Sequence, residues 1–134
     1  MKKDLPQNIV ENVAIAVVLE SSTPEVKNWK VYLLNLKDEP IETVLVSSKG
    51  YGEKDGQKVK TSVLRHSIGT VAAQDFATIE LIDEQVLGLT NEYWLSYYIG
   101  GQIFDKKFIF VPESIVDTNL SRIPLVNMPG VMIG

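Results

Sequence analysis

Residues Leu87–Val111 read LGLTNEYWLSYYIGGQIFDKKFIFV. Two runs rich in aromatic and β-branched residues flank Gly100-Gly101, a pair that takes the positive φ angles of a two-residue hairpin turn at no steric cost. A turn at those glycines sets Ile99 against Gln102, Tyr97 against Phe104, Leu95 against Lys106 and Tyr93 against Phe108. One face then carries Tyr93, Leu95, Tyr97, Ile99, Phe104, Phe108 and Phe110, with Lys106 the single misfit, and this is the expected core face. The other face carries Trp94, Ser96, Tyr98, Ile103, Asp105 and Lys107.

Turn signals recur at short intervals on the N-terminal side, as in a sandwich or barrel. Val13–Leu19 reads as a first strand, and Trp29–Leu36 alternates in the manner of a second. Ile41–Ser48 follows the Lys37-Asp38-Glu39-Pro40 turn as a third. Lys49–Gln57 holds three glycines in seven residues and reads as a loop or hairpin tip. Val59–His66 reads as one strand and Thr78–Ile82 as a shorter one. Ile68–Phe76 is Ala-rich enough for a helical turn, and Asp83–Leu87 suits a single turn ended by Gly88.

A chain of 134 residues is about one domain, large enough to bury a core without metal or disulfide staples. It has no cysteine, so no disulfide framework and no thiolate chemistry. The net charge of −4 argues against nucleic acid as a partner, because phosphate neutralisation needs a basic surface. Lys49–His66 concentrates bases and Asp75–Glu92 concentrates acids, which reads as a solvated face or as neighbouring strands of complementary charge. Asp4, Glu11 and Asn12 interrupt the approach to the short apolar run Val13–Leu19, unlike the continuous apolar stretch of a signal peptide. No run approaches the ~20 apolar residues of a membrane-spanning helix. A cytoplasmic protein, off the membrane, is the expectation.

The stretch Leu87-Gly88-Leu89-Thr90-Asn91-Glu92-Tyr93, followed by Leu95, Tyr97 and Ile99, resembles the start of strand F in fibronectin type III and related immunoglobulin-like domains. There a leucine precedes a tyrosine by six residues and inward side chains alternate afterwards. The resemblance implies a tyrosine corner at Tyr93, its hydroxyl bonded back to the chain upstream. It covers about one fifth of the chain, lacks the Cys–Trp–Cys pattern, and implies an architecture without a function.

Chemistry is sparse. The one histidine, His66, lies in Thr61-Ser62-Val63-Leu64-Arg65-His66-Ser67. Thr61, Ser62, Arg65 and His66 form a candidate anion pocket, weighed against the plainer reading of a strand's polar face. No phosphate-binding glycine loop and no GxSxG elbow is present. Glu80, Asp83 and Glu84 offer oxygens without a metal-binding spacing, so no metal and no cofactor is expected. Two surfaces carry more weight. Trp94 and Tyr98, with Lys107 opposite Trp94, form an outward aromatic patch, and Tyr51 between Gly50 and Gly52 is a further candidate contact. The tail Ser114–Gly134 is too apolar to stay unpacked, and either wraps its own domain, over Trp94 and Tyr98 among other places, or pairs with a neighbour.

The expected fold is all-β: an immunoglobulin-like antiparallel sandwich of about seven or eight strands over residues 1–113, with an apolar extension over 114–134. A partly open barrel, or an α+β domain with one short helix near Ile68–Phe76, is the alternative. The expected function is a non-catalytic interaction module. A small-ligand or anion-binding protein, or an enzyme, around Arg65 and His66 is the second reading, and a self-assembling structural subunit the third.

Overall fold

The computed structural model describes residues 8–134. Among these described residues, ten antiparallel strands form two facing sheets that do not close into a barrel. The strands are β1 (Val13–Ser22), β2 (Lys27–Asn35), β3 (Ile41–Lys54), β4 (Gln57–Lys60), β5 (Leu64–Val71), β6 (Asp75–Ile82), β7 (Thr90–Ile99), β8 (Gln102–Phe110), β9 (Ser121–Arg122) and β10 (Pro129–Ile133). The first sheet runs β6-β2-β1-β10-β9. The second runs β4-β3-β7-β8, with β5 beside the first half of β3. Allotting β1, β2 and β6 to one sheet and β3, β7 and β8 to the other matches the A, B, E and C, F, G division of an immunoglobulin-like sandwich.

The β7–β8 hairpin has the register its turn dictates. Tyr93 faces Phe108, Leu95 faces Lys106, Tyr97 faces Phe104 and Ile99 faces Gln102. Gly100 and Gly101 have φ of 56° and 78°, as a type I′ turn requires. Tyr93, Leu95, Tyr97, Phe108 and Phe110 are buried against Val13, Ile15, Val17, Trp29, Val31 and Leu33 of the first sheet. This is the main core.

The span Val59–His66 is two strands rather than one. Thr61 leaves the ladder because its Oγ1 accepts the Gly50 N–H at 2.8 Å and donates to the Ser62 carbonyl at 3.0 Å. β4 therefore closes a hairpin on the far end of β3, while β5 pairs with its near end. Ile68–Phe76 holds no helix. It contributes the end of β5, a turn with Gln74 at φ 55°, and the start of β6, because ladders with β3 and β2 outweigh the helix preference of two alanines. Glu84–Gly88 does form a short 3-10 helix, with Asp83 Oδ1 accepting the Gln85 N–H at 2.9 Å. No helix among the described residues is long and apolar enough to cross a membrane.

The tail supplies the two strands beyond the expected eight. β10 pairs with the free edge of β1, Ile15 against Ile133 and Val18 against Gly130. Ile123 and Val126 pack on Ala14, Ala16, Val18, Tyr32 and Leu34, forming a second core on the outer side of the first sheet. That is why Val13–Val18 is an unbroken apolar run: β1 is buried on both faces. The part of the tail that forms this second core lies on the opposite side of the sandwich from Trp94 and Tyr98, while Ile115 packs into the main core between the sheets.

Candidate functional site

The outer face of the second sheet has no such cover. A bulge in β3, with Thr43 at φ 50°, sets the pleat so that Leu45, Ser47 and Lys49 point outward while Val44, Val46 and Ser48 point into the core. Cross-strand register then builds transverse rows. Arg65, Ser47, Trp94 and Lys107 form one, on β5, β3, β7 and β8 in that order. Ser67, Leu45, Ser96 and Asp105 form the next, and Tyr98 with Ile103 lies beyond it. On the other side, Lys49, Glu92 and Ile109 make a further row.

Large apolar side chains are left in solvent along these rows. Trp94 is 47% exposed, Tyr98 38% and Ile103 50%, and Leu45 and Ile109 are similarly open. A contiguous group of this kind, rimmed by charge, is the usual mark of an interaction surface. Trp94 is held in place: its Nε1 donates to Asp105 Oδ2 at 3.1 Å, and Lys107 Nζ lies 4.9 Å from the indole ring centre. A groove of about 550 Å³ runs beside it, walled by Leu45, Arg65, Trp94 and Ile103 and floored by small serines including Ser47 and Ser67. Glu92 pairs with Lys49 at 3.6 Å. Among the described residues no carboxylate pairs with Arg65.

Trp94, Tyr98 and Lys107 thus share one surface. Tyr51 lies on the same face, but the Lys49–Glu92 row separates it from Trp94, and its ring receives Lys49 Nζ at 5.8 Å. The complementary charge blocks seen in the sequence meet partly across strands, as in Lys49–Glu92 and His66–Glu80.

Arg65 and His66 both line the groove beside Trp94, but their side chains diverge and Thr61 joins neither. Arg65 points outward, Thr61 is engaged by Gly50 and Ser62, and His66 points toward the interior, where its Nε2 lies 2.9 Å from Glu80 Oε1. An anion beside His66 meets that carboxylate. Glu80 is the center of a second constellation that sequence reading misses. A bulge in β6 between the Val31 and Tyr32 pairings turns Glu80 inward, although strict alternation from the buried Ile79 places it outside. Its Oε1 also accepts from Ser48 Oγ at 2.8 Å, and its Oε2 accepts from Tyr93 Oη at 2.9 Å. Tyr93 therefore bonds upstream, yet to a side chain of the facing sheet rather than to the backbone of a tyrosine corner.

The Glu80 cluster ties three strands of the second sheet to β6 of the first. Serine, histidine and carboxylate are all present, but Ser48 and His66 both bond the same Glu80 oxygen, whereas nucleophilic catalysis needs the imidazole between hydroxyl and acid. Burial, reinforced by the Glu80 charge, pushes the Tyr93 phenol far above its usual range. Tyr97, buried with no hydrogen-bond partner for its hydroxyl among the described residues, is pushed up to about 12, chiefly by burial. Neither tyrosine is poised for acid–base work near neutrality. No group of three His, Asp or Glu side chains suited to a metal ion occurs among the described residues; Asp83 is used as a helix cap. Compared with family models, curated proteins and solved structures, the chain matches none.

Proposed function

We propose that this protein is a non-catalytic interaction module that docks a partner protein on the outer face of its second sheet. The observation that carries the reading is the unequal treatment of the two outer faces. The tail buries the outer side of β1 and β2, leaving Phe76 and Leu81 on the edge strand β6 and Met132 exposed there, while Leu45, Trp94, Tyr98, Ile103 and Ile109 on the second sheet have no cover at all among the described residues. Full burial of an exposed apolar side chain yields roughly 1.5–3 kcal/mol, and these half-exposed ones have about half of that still to gain, which favours a partner that covers them. Trp94 and Tyr98 are the expected hot spots, since aromatic anchors at the center of an interface cost about 2 kcal/mol or more on truncation, roughly 30-fold in affinity.

Affinity capture from the native cell, quantified by mass spectrometry for wild type and for Trp94→Ala/Tyr98→Ala, tests this. The double variant keeps its fold, both side chains being half-exposed, and loses the partner that wild type retains. Equal recovery of every captured protein by the two forms contradicts the proposal.

A further inference from the structure

We infer that the groove beside Trp94 takes an extended acidic segment of a partner protein, with a carboxylate three residues from an aromatic or branched aliphatic side chain. The inference rests on the docking function proposed above and specifies the chemistry of what docks.

Charge selects the acid. The carboxylates nearest the row are held, Glu92 by Lys49 and Asp105 by the Trp94 indole N–H, while Glu42 lies farther off, opposite Tyr98. Arg65 has no carboxylate partner among the described residues, and Lys107 sits at the far end of the same row over the indole ring. The row is therefore net positive on a protein of net charge −4. A guanidinium beside an apolar wall is the usual receptor for a carboxylate, which it holds through two parallel N–H···O bonds. A nucleic-acid strand is disfavoured, because its successive phosphates would run over Asp105 and Glu92.

Register selects the spacing. Arg65 and Trp94 lie on either side of Ser47, two strand separations apart, or about 9.6 Å at ~4.8 Å per strand. A segment in the extended polyproline II conformation rises ~3.1 Å per residue with three residues per turn, so side chains three apart share a face and span about 9.3 Å, close to that distance. Ser47 between them is small enough to let a backbone pass. The Trp94 N–H is taken by Asp105, so the indole presents its ring, a surface for apolar or aromatic contact. The segment crosses the strands from Arg65 toward Trp94, acid first over the guanidinium and apolar side chain against the indole and Leu45.

The test uses the full chain and an array of twelve-residue Gly/Ser peptides, each bearing one glutamate placed one to six residues from one phenylalanine. Binding peaks at the three-residue spacing, and replacing that glutamate with glutamine weakens binding to wild type about tenfold. Arg65→Gln binds the glutamate and glutamine peptides equally, and Trp94→Ala binds neither. The inference is overturned if no array peptide binds wild type, if spacing makes no difference, or if Arg65→Gln keeps the wild-type preference for glutamate. Urea midpoints of both variants, read by fluorescence of the buried Trp29, establish that each is folded. Cellular capture separates the two claims: partner loss with Trp94→Ala/Tyr98→Ala but not with Arg65→Gln removes the acidic segment and leaves docking standing. No loss with either removes docking itself.

Discussion

Replacing Glu80 with alanine is expected to destabilise the protein by about 3–4 kcal/mol. The carboxylate accepts from Ser48 Oγ, Tyr93 Oη and His66 Nε2, all at 2.8–2.9 Å. Hydrogen bonds to a charged acceptor contribute about 1.5–3 kcal/mol each, and a buried hydroxyl left without a partner costs about 1–3 kcal/mol more. Tyr93 is buried, so removal of Glu80 leaves its hydroxyl without a protein partner. Relief of the carboxylate's own desolvation offsets much of the sum and brings the net down to about 3–4 kcal/mol. Tyr93→Phe alone is expected to cost about 1–2 kcal/mol. In the double variant the two losses overlap, so the total falls short of additivity by about 1–2 kcal/mol. Urea unfolding followed by Trp29 fluorescence measures all four corners of the cycle. A Glu80→Ala cost below about 1 kcal/mol, or additivity within about 0.5 kcal/mol, refutes the cross-sheet role of Glu80.

Gly130→Ala is expected to cost about 2–3 kcal/mol in the same assay, because a Cβ there would lie 2.6 Å from the Val17 carbonyl oxygen and 2.9 Å from Ile123 Cγ1. Gly88→Ala, which meets open space, stays within about 0.5 kcal/mol of wild type. At high pH stability falls through both buried tyrosines, Tyr93 and Tyr97, whose phenols the fold holds neutral. The folded pKa of Tyr97, about 12, exceeds the unfolded value near 10, so its neutral phenol stabilises the fold fully below about pH 10. That contribution, up to about 2.7 kcal/mol, is lost between about pH 10 and 12; urea midpoints across that range show the drop in wild type and a shallower one in Tyr97→Phe. Truncation after Pro112 removes β9, β10 and the second core, so the truncated chain binds the dye ANS strongly and loses stability. Wild-type stability and no added ANS binding would show that the tail does not cover the first sheet.

The parts of the fold legible in the sequence were those fixed by local chemistry. Gly100-Gly101 set the β7–β8 register and thereby both faces of that hairpin, including the outward position of Trp94, Tyr98 and Lys107. Asp83 and Gly88 bracket the one short helical turn that the sequence suggested there. Long-range partners were not legible. Thr61 breaks a strand because its hydroxyl finds Gly50, eleven residues away, and nothing near Thr61 announces that. Glu80 reads as a charged strand edge, and only the bulge against β2 turns it inward. The unbroken run Val13–Val18 did carry a usable signal of two-sided burial, and with it the place where the apolar tail belongs. Arg65 and Trp94 lie twenty-nine positions apart and meet in one row only through β3. The groove between them therefore has no signature in any single stretch.

Docking on the outer face of the second sheet is tested most directly by amide hydrogen exchange of the full chain with and without the captured partner. Protection is predicted to rise over 42–49, 64–69 and 92–109, the segments that carry Leu45, Arg65, Trp94, Tyr98 and Ile103, and to stay unchanged over 121–133. Protection confined to the tail and the first sheet, or no change at either face, would contradict the account.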